Sequence, residues 1–342
     1  MSCPEKFSSY TDEEWYRLSN LARQQSVLAG YYNENFRLVH ADVALLFRFP
    51  KKDEFQLDPR PFSEIDVYKK ISGKGLPVPA IYYVAPDHSF QVEEFVSGEL
   101  VDSIYPPGQP VSPAIIGHMA DFYKRLLTLD IDPEDILAEG WPTEGTPVDF
   151  FEKLLENAWG IVKERQSTHG DIYKFLKLPD DPFTPFLEQS RNLHPRPWRL
   201  MHADLHRSNM IEKEDGALVM IDWELALYGD PLFCIAAHLH RCRYTSDFKK
   251  QVAARIYESI SDEFKPQFEE DLTFYLNYEA MKSILTDTVR FPHLVKYNKA
   301  PPVMMAELSA YYADNLNRLA PLFGNITATP EQALEWFHQW AR

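Results

Sequence analysis

The chain has 342 residues, 45% hydrophobic and 14% aromatic, enough to bury a sizeable core in two packed lobes or two domains. Its 51 acidic side chains outnumber 35 basic ones, and the resulting charge of −16 argues against non-specific nucleic-acid binding, which needs concentrated positive charge. No apolar run approaches the roughly 20 residues that span a bilayer, the acidic opening segment is unlike a secretory signal, and none of the three cysteines forms a C-x-x-C pair. These features predict a cytoplasmic protein with free thiols, without membrane or nucleic-acid partners.

In chain order, SVLAG enters a turn through Gly30, FRLVH leaves it, and ALLFRF at 44–49 supplies a further strand carrying Arg48. FSEIDVYKKIS then has helical spacing, with Ser63 at its start and Glu64 in its first turn. The Gly73/Gly75/Pro77/Pro79 stretch ends that helix, and AIYYVA and SFQVEEFV read as two more strands. Gly98 interrupts the last one, so the boundary is expected there: a nucleotide-binding region at 1–98, a hinge near 94–99, and a catalytic and substrate-binding region at 99–342. Beyond it, helical spacing is found at about 113–129, 150–166, 247–260, 266–286, 303–319 and 330–341. The order predicts an α+β protein with a small antiparallel-sheet lobe and a large, mainly helical one.

The most informative text is WRLMHADLHRSNMIEKEDGALVMIDWELALYGDP. Asp204 and Asn209 stand five positions apart in a short polar loop, and LVMI at 218–221 delivers Asp222 at a strand end. A carboxylate, an amide oxygen and a second carboxylate in this order suit phosphoryl transfer. Asp204 accepts the proton of an attacking hydroxyl, while Asn209 and Asp222 offer hard oxygens to magnesium. Glu224 is placed to assist as metal ligand or structural carboxylate. His202 is expected to position the loop and Asp230 to brace it through backbone hydrogen bonds, whereas His206 and Arg207 are candidates for substrate or phosphate contact.

For the phosphoryl donor, Arg48 offers a permanent charge and Glu64 can orient it. Gly30 and Asn33 form a candidate phosphate-side turn, and the backbone at Glu94–Phe95 a candidate nucleobase contact. The chain has neither GxGxxG nor GxxxxGK[ST], which disfavours dinucleotide-dependent dehydrogenases and P-loop kinases. QFEEDLTFYLNYEAMKSILTD offers a candidate acceptor wall, with Asp271, Tyr275, Tyr278 and Glu279 on neighbouring helical positions and Asp287 beyond the helix end; a solvated acidic face is the alternative.

HADLHRSN at 202–209, IDWE at 221–224 and GDP at 229–231 resemble the aminoglycoside phosphotransferase and choline-kinase-like superfamily. That resemblance implies a bilobal protein-kinase-like fold, ATP or GTP with Mg2+ as cofactors, Asp204 as base, and Asn209 and Asp222 as metal ligands. It implies transfer of the γ-phosphoryl group to a small-molecule hydroxyl, with an antibiotic such as an aminoglycoside or nucleoside-type compound as the leading acceptor. A metabolic kinase for choline, an amino alcohol, homoserine or a sugar is the alternative, and a catalytically inactive binding protein a third. Arg48 stands where many members carry lysine, and IDWE departs from the DFG of protein kinases. Monomer and homodimer both remain open.

Overall fold

The computed structural model describes residues 5–28, 33–51, 62–132 and 140–342. The sequence expectations at Gly30 and Cys3 fall outside them.

The first helix, α1 (Asp12–Ala22), is announced by a Thr11–Glu14 capping box: the Thr11 hydroxyl accepts from the Glu14 N–H, and the Glu14 carboxylate accepts from the Thr11 N–H. In the sequence it is marked by the T-x-x-E signal that precedes WYRL. Strands β1 (Val27–Leu28), β2 (Asn33–His40) and β3 (Val43–Pro50) follow; after α2 (Glu64–Ile71) come β4 (Ile81–Val84) and β5 (Gln91–Glu94). They form an antiparallel sheet in the order β1-β2-β3-β5-β4.

Register sorts the two faces of this sheet. Phe36, Phe47 and Val92 stand opposite one another across β2, β3 and β5 and, with Leu45 and Phe49, pack against Trp15, Leu18 and Ala22 of α1. One position along, Asn35, Arg48 and Gln91 are paired, and so are Arg37, Leu46 and Glu93. The side-chain period of two therefore gives one apolar face and one predominantly polar face.

The chain continues through β6 (Glu99–Leu100), α3 (Val101–Ile104) and α4 (Pro113–Leu127), then α5 (Pro147–Phe175) and α6 (Thr184–Ser190). Short strands β7 (Arg199–Met201), β8 (Met210–Glu212), β9 (Leu218–Met220) and β10 (Leu227–Gly229) frame the polar loops. The remainder is α7 (Pro231–Arg241), α8 (Ser246–Ser259), α9 (Phe268–Lys296), α10 (Pro302–Phe323) and α11 (Pro330–Trp340). The fold is thus the expected small antiparallel sheet followed by a mainly helical region. Among the described residues no helix is long and apolar enough to cross a membrane. Cys234 and Cys242 are buried free thiols.

Two expectations need correction. Contacts group residues 1–105, 112–140 and 200–227 into one compact unit, and 106–111, 141–199 and 228–342 into another, rather than dividing the chain at 98/99. The cause is that β6 pairs antiparallel with β8, and β8 with β9, which binds the polar loops to the first unit. Asp287 lies inside α9, not beyond it, because the helix runs on through Pro292 to Lys296. Proline removes one backbone donor, and a packed helix absorbs that loss.

Gly98 is needed for close approach. A Cβ built there would lie 2.4 Å from the carbonyl oxygen of Glu212 and 2.8 Å from Cγ2 of Ile211. Gly98→Ala should push β6 off β8 and cost about 1–3 kcal/mol of stability, the range for overpacking, read as a lowered denaturant midpoint.

Candidate active site

The first unit contains a cleft of about 490 Å³. Leu28, Leu46, Pro79, Val96, Ile211 and Ile221 give it an apolar part, whereas Arg48, Asn209, Asp222 and Glu224 line its polar part. Asn33, buried on β2, also lines it.

Arg48 is 6% exposed on the polar face of the sheet. Its Nη1 donates to Glu64 Oε1 at 2.7 Å and lies 3.7 Å from Glu93 Oε1, while Nη2 reaches Asp222 Oδ1 at 3.3 Å. Burial works against the guanidinium charge, but Glu64, Glu93 and Asp222 outweigh it and hold the arginine protonated. Glu64 thus meets Arg48 as the sequence predicted. Glu93 was not foreseen. Burial pushes its carboxyl up to about 7, with Arg48 pulling the other way. Strand alternation could have flagged it as facing the same way as Gln91, but not what it faces.

The polar loop is held from several directions. His202 is fully buried; its Nε2 donates to the Ile221 carbonyl at 2.9 Å, and its Nδ1 accepts from the Asp204 N–H at 3.4 Å. Burial pushes this imidazole down to about 4, partly opposed by the Ile221 bond, so it is neutral near pH 7. Ala203 and Asp222 both occupy the left-handed backbone region, at φ 55° and 67°. For residues with a Cβ this conformation is costly and is held by surrounding bonds. Ser208 Oγ donates to Asp102 Oδ2 at 3.1 Å.

Asn209 directs Nδ2 to the Asp204 carbonyl at 2.9 Å and to Asp204 Oδ2 at 3.5 Å. That leaves Oδ1 as the atom Asn209 offers a cation. One carboxylate oxygen from each of Glu64, Asp222 and Glu224 lies within 4.8 Å of the others. An all-oxygen set of this kind fits a hard divalent ion such as magnesium. Glu64, Asp222 and Glu224 are the carboxylates placed to meet such an ion.

His206 Nδ1 accepts from the Ser208 N–H at 3.3 Å, and its Nε2 lies 3.7 Å from Asp204 Oδ2. Arg207 differs from expectation. It is 2% exposed and donates to the Tyr105 carbonyl, an anchor for the loop rather than a group presented to substrate. The Glu94 N–H bonds the Ala80 carbonyl at 2.8 Å and the Phe95 N–H bonds that of Ala44 at 3.2 Å, so neither amide is available to a nucleobase. Both residues nonetheless line the cleft.

In the second unit, Asp230 caps α7 by accepting from the Leu232 N–H at 3.0 Å and takes a hydrogen bond from Tyr275 at 2.9 Å. Its hydrogen bonds therefore brace α7, where the sequence suggested the polar loop. Asp271 pairs with Arg196 at 2.7 Å, and Tyr278 lies among rings that include Phe151. Glu279 contacts Lys282 and Arg241; burial opposes its charge, but these cations prevail and hold it at about 2. Asp287 pairs with Arg290 at 3.1 Å. All five candidate wall residues are at most 3% exposed. The expected acidic wall is therefore internal, because α9 packs against α5, α6, α7, α10 and α11. Helical spacing identifies a stripe but not its neighbours.

His202 yields a pH test. Its folded affinity for protons is below the ordinary imidazole value near 6.5, so its contribution to stability is complete above that pH and is lost as pH falls toward 4. Between pH 7.5 and 5, wild type should lose about 2 kcal/mol more than His202→Gln, measured by urea unfolding of both.

Residues 23–266 match the model of the phosphotransferase enzyme family. The fold is similar to choline kinase LicA from Streptococcus pneumoniae, with TM-score 0.54, 16% identity, and coverage of 91% of this chain and 100% of that one. An ethanolamine kinase of Plasmodium vivax gives 0.57, 16%, 87% and 83%, and the ADP-bound aminoglycoside phosphotransferase APH(2'')-Ib gives 0.52, 16%, 90% and 98%. No curated protein matches the chain. With most of its length matched by the family's model, the chain belongs to the phosphotransferase enzyme family.

Proposed function

We propose that the protein transfers the γ-phosphoryl group of ATP or GTP to a hydroxyl of a small molecule, with Asp204 as base. The observation that carries this reading is the convergence of Asp204, Asn209, Asp222 and Arg48 within the first unit, around the cleft and its polar loop. The apolar part of the cleft suits a flat base, and its polar part suits phosphates.

Asp204 takes the acceptor's O–H proton as the acceptor oxygen bonds to the γ-phosphorus. The bond to the bridging oxygen breaks, and its electron pair leaves with the nucleoside diphosphate. Asn209 Nδ2 donates to the Asp204 backbone carbonyl at 2.9 Å and reaches its carboxylate Oδ2 at 3.5 Å, which keeps the residue oriented. Arg48 supplies positive charge for the phosphates, and Glu64 fixes its direction. A magnesium ion, when bound, would offset the negative charge of the triphosphate.

The acceptor is decided outside this loop. Structures with the same fold include a choline kinase, an ethanolamine kinase and aminoglycoside phosphotransferases. A hydroxylated antibiotic remains the leading acceptor class and an amino alcohol the second.

A mass-resolved transfer assay with ATP or GTP, magnesium and a panel of hydroxylated antibiotics, nucleosides, choline, ethanolamine, homoserine and sugars tests the reading. One acceptor should gain a single phosphate. Asp204→Asn should cut turnover at least about a hundredfold, the lower end expected for removing a general base, while retaining nucleotide binding. Asp222→Ala should weaken magnesium-dependent nucleotide binding as well as turnover. Wild-type turnover in Asp204→Asn would remove Asp204 as base.

A further inference from the structure

The Arg48 guanidinium is drawn in two directions. Nη1 is held by Glu64 of α2 at 2.7 Å and lies 3.7 Å from Glu93 of β5, and Nη2 is drawn to Asp222 Oδ1 at 3.3 Å. Asp222 is about one-third exposed in its side chain, whereas the carboxylates of Glu64 and Glu93 are buried. A metal ion bound by Asp222 requires a carboxylate that the guanidinium does not monopolise.

We propose that Glu93 is a positioning residue that, with Glu64, holds Arg48 back from Asp222 and so keeps Asp222 available to a nucleotide-bound divalent cation. This rests on the reading of Asp222 as metal ligand and Arg48 as phosphate contact. The geometry favours it in three ways. Glu93 lies in the centre of β5, directly opposite Leu46 and diagonal to Arg48, so the sheet itself fixes its position. Gln91 Nε2 donates to Glu93 Oε2 at 3.4 Å, restraining the carboxylate from its own strand. Glu93 is 3% exposed, so its attraction for Arg48 is weakly screened by solvent.

Above about pH 7, where Glu93 is ionised, two buried carboxylates face one guanidinium and exceed what its charge requires. Their excess has a use if it opposes a third carboxylate. Removing the Glu93 charge leaves Glu64 to retain one arm of the fork while Asp222 draws the other. Arg48 then shifts toward the oxygen that the cation needs. The loss appears as competition with magnesium and not as a general weakening of the fold. Glu93 acts through Arg48 and does not touch the reacting atoms.

The test is a magnesium titration of nucleotide binding, using a fluorescent, non-hydrolysable ATP analogue with full-length wild type, Glu93→Gln, Glu93→Asp, Arg48→Met and the Glu93→Gln/Arg48→Met double variant. Circular dichroism checks folding of each. Glu93→Gln should raise the half-saturating magnesium concentration about tenfold, and Glu93→Asp, which restores charge, should stay within about threefold of wild type. In the Arg48→Met background Glu93→Gln should shift it by less than about twofold, because the competing guanidinium is gone. An unchanged magnesium requirement in folded Glu93→Gln overturns the proposal, as does an equal shift in both backgrounds. Failure of Glu93→Gln to fold leaves Glu93→Asp to decide: a more than tenfold rise there, persisting with Arg48→Met, overturns it too. Absence of magnesium-dependent binding by wild type would instead refute the parent reading of the cleft.

Discussion

A buried guanidinium must be surrounded by acceptors, and at Arg48 those acceptors come from three separate parts of the chain. Glu64 arrives from α2, Glu93 from β5 and Asp222 from the loop after β9. Desolvating one positive charge without partners would cost several kcal/mol, so these elements are mutually constrained by the need to meet it. The same requirement explains why one face of the sheet is polar while the other is packed against α1. Arg48, Gln91 and Glu93 have alternate neighbours Phe47 and Val92 that fill the apolar side. A strand that displaced Arg48 by one residue would invert both faces together.

Order in the polar loop follows from bonds that do not depend on its proposed chemistry. His202 bridges to Ile221, Ser208 to Asp102, and Arg207 to Tyr105. These attachments hold two left-handed residues, Ala203 and Asp222, in conformations that an unsupported chain would leave. Rigid support of this kind is what the proposed role of Asp204 needs, because a carboxylate becomes effective in a reaction through its placement and the electrostatics around it. The second unit applies the same principle elsewhere. Arg196 sits between Asp230 and Asp271, and Tyr275 completes the set, which organises α7 and α9 around a buried ionic cluster.

That internal cluster also bears on acceptor recognition. Acidic residues on α9 that appeared suited to a cationic or hydroxylated substrate are already matched by Arg196, Lys282, Arg241 and Arg290. The excess negative charge of the chain is consequently a poor guide to what the protein phosphorylates. Kinases of the same fold act on acceptors as different as amino alcohols and aminoglycosides, as their names state.

The sequence alone determined strands β1 to β5 and β9, helices α2, α4, α5 and α8 to α11, the small sheet lobe followed by the helical lobe, and the proximity of Asp204 to Asn209, because local periodicity and a short loop leave little freedom. It also anticipated the Arg48–Glu64 pair, which joins a strand to the next helix. Helix α1 is legible in its T-x-x-E capping box. Tertiary structure alone decided that Glu93 shares Arg48, that Arg207 turns to Tyr105, and that the acidic stripe of α9 faces inward. It also assigned the polar loops to the first unit through β6, β8 and β9. The physical reason is the same in each case: spacing within an element specifies which side chains point together, whereas the partner and burial of that face depend on residues far away in the chain.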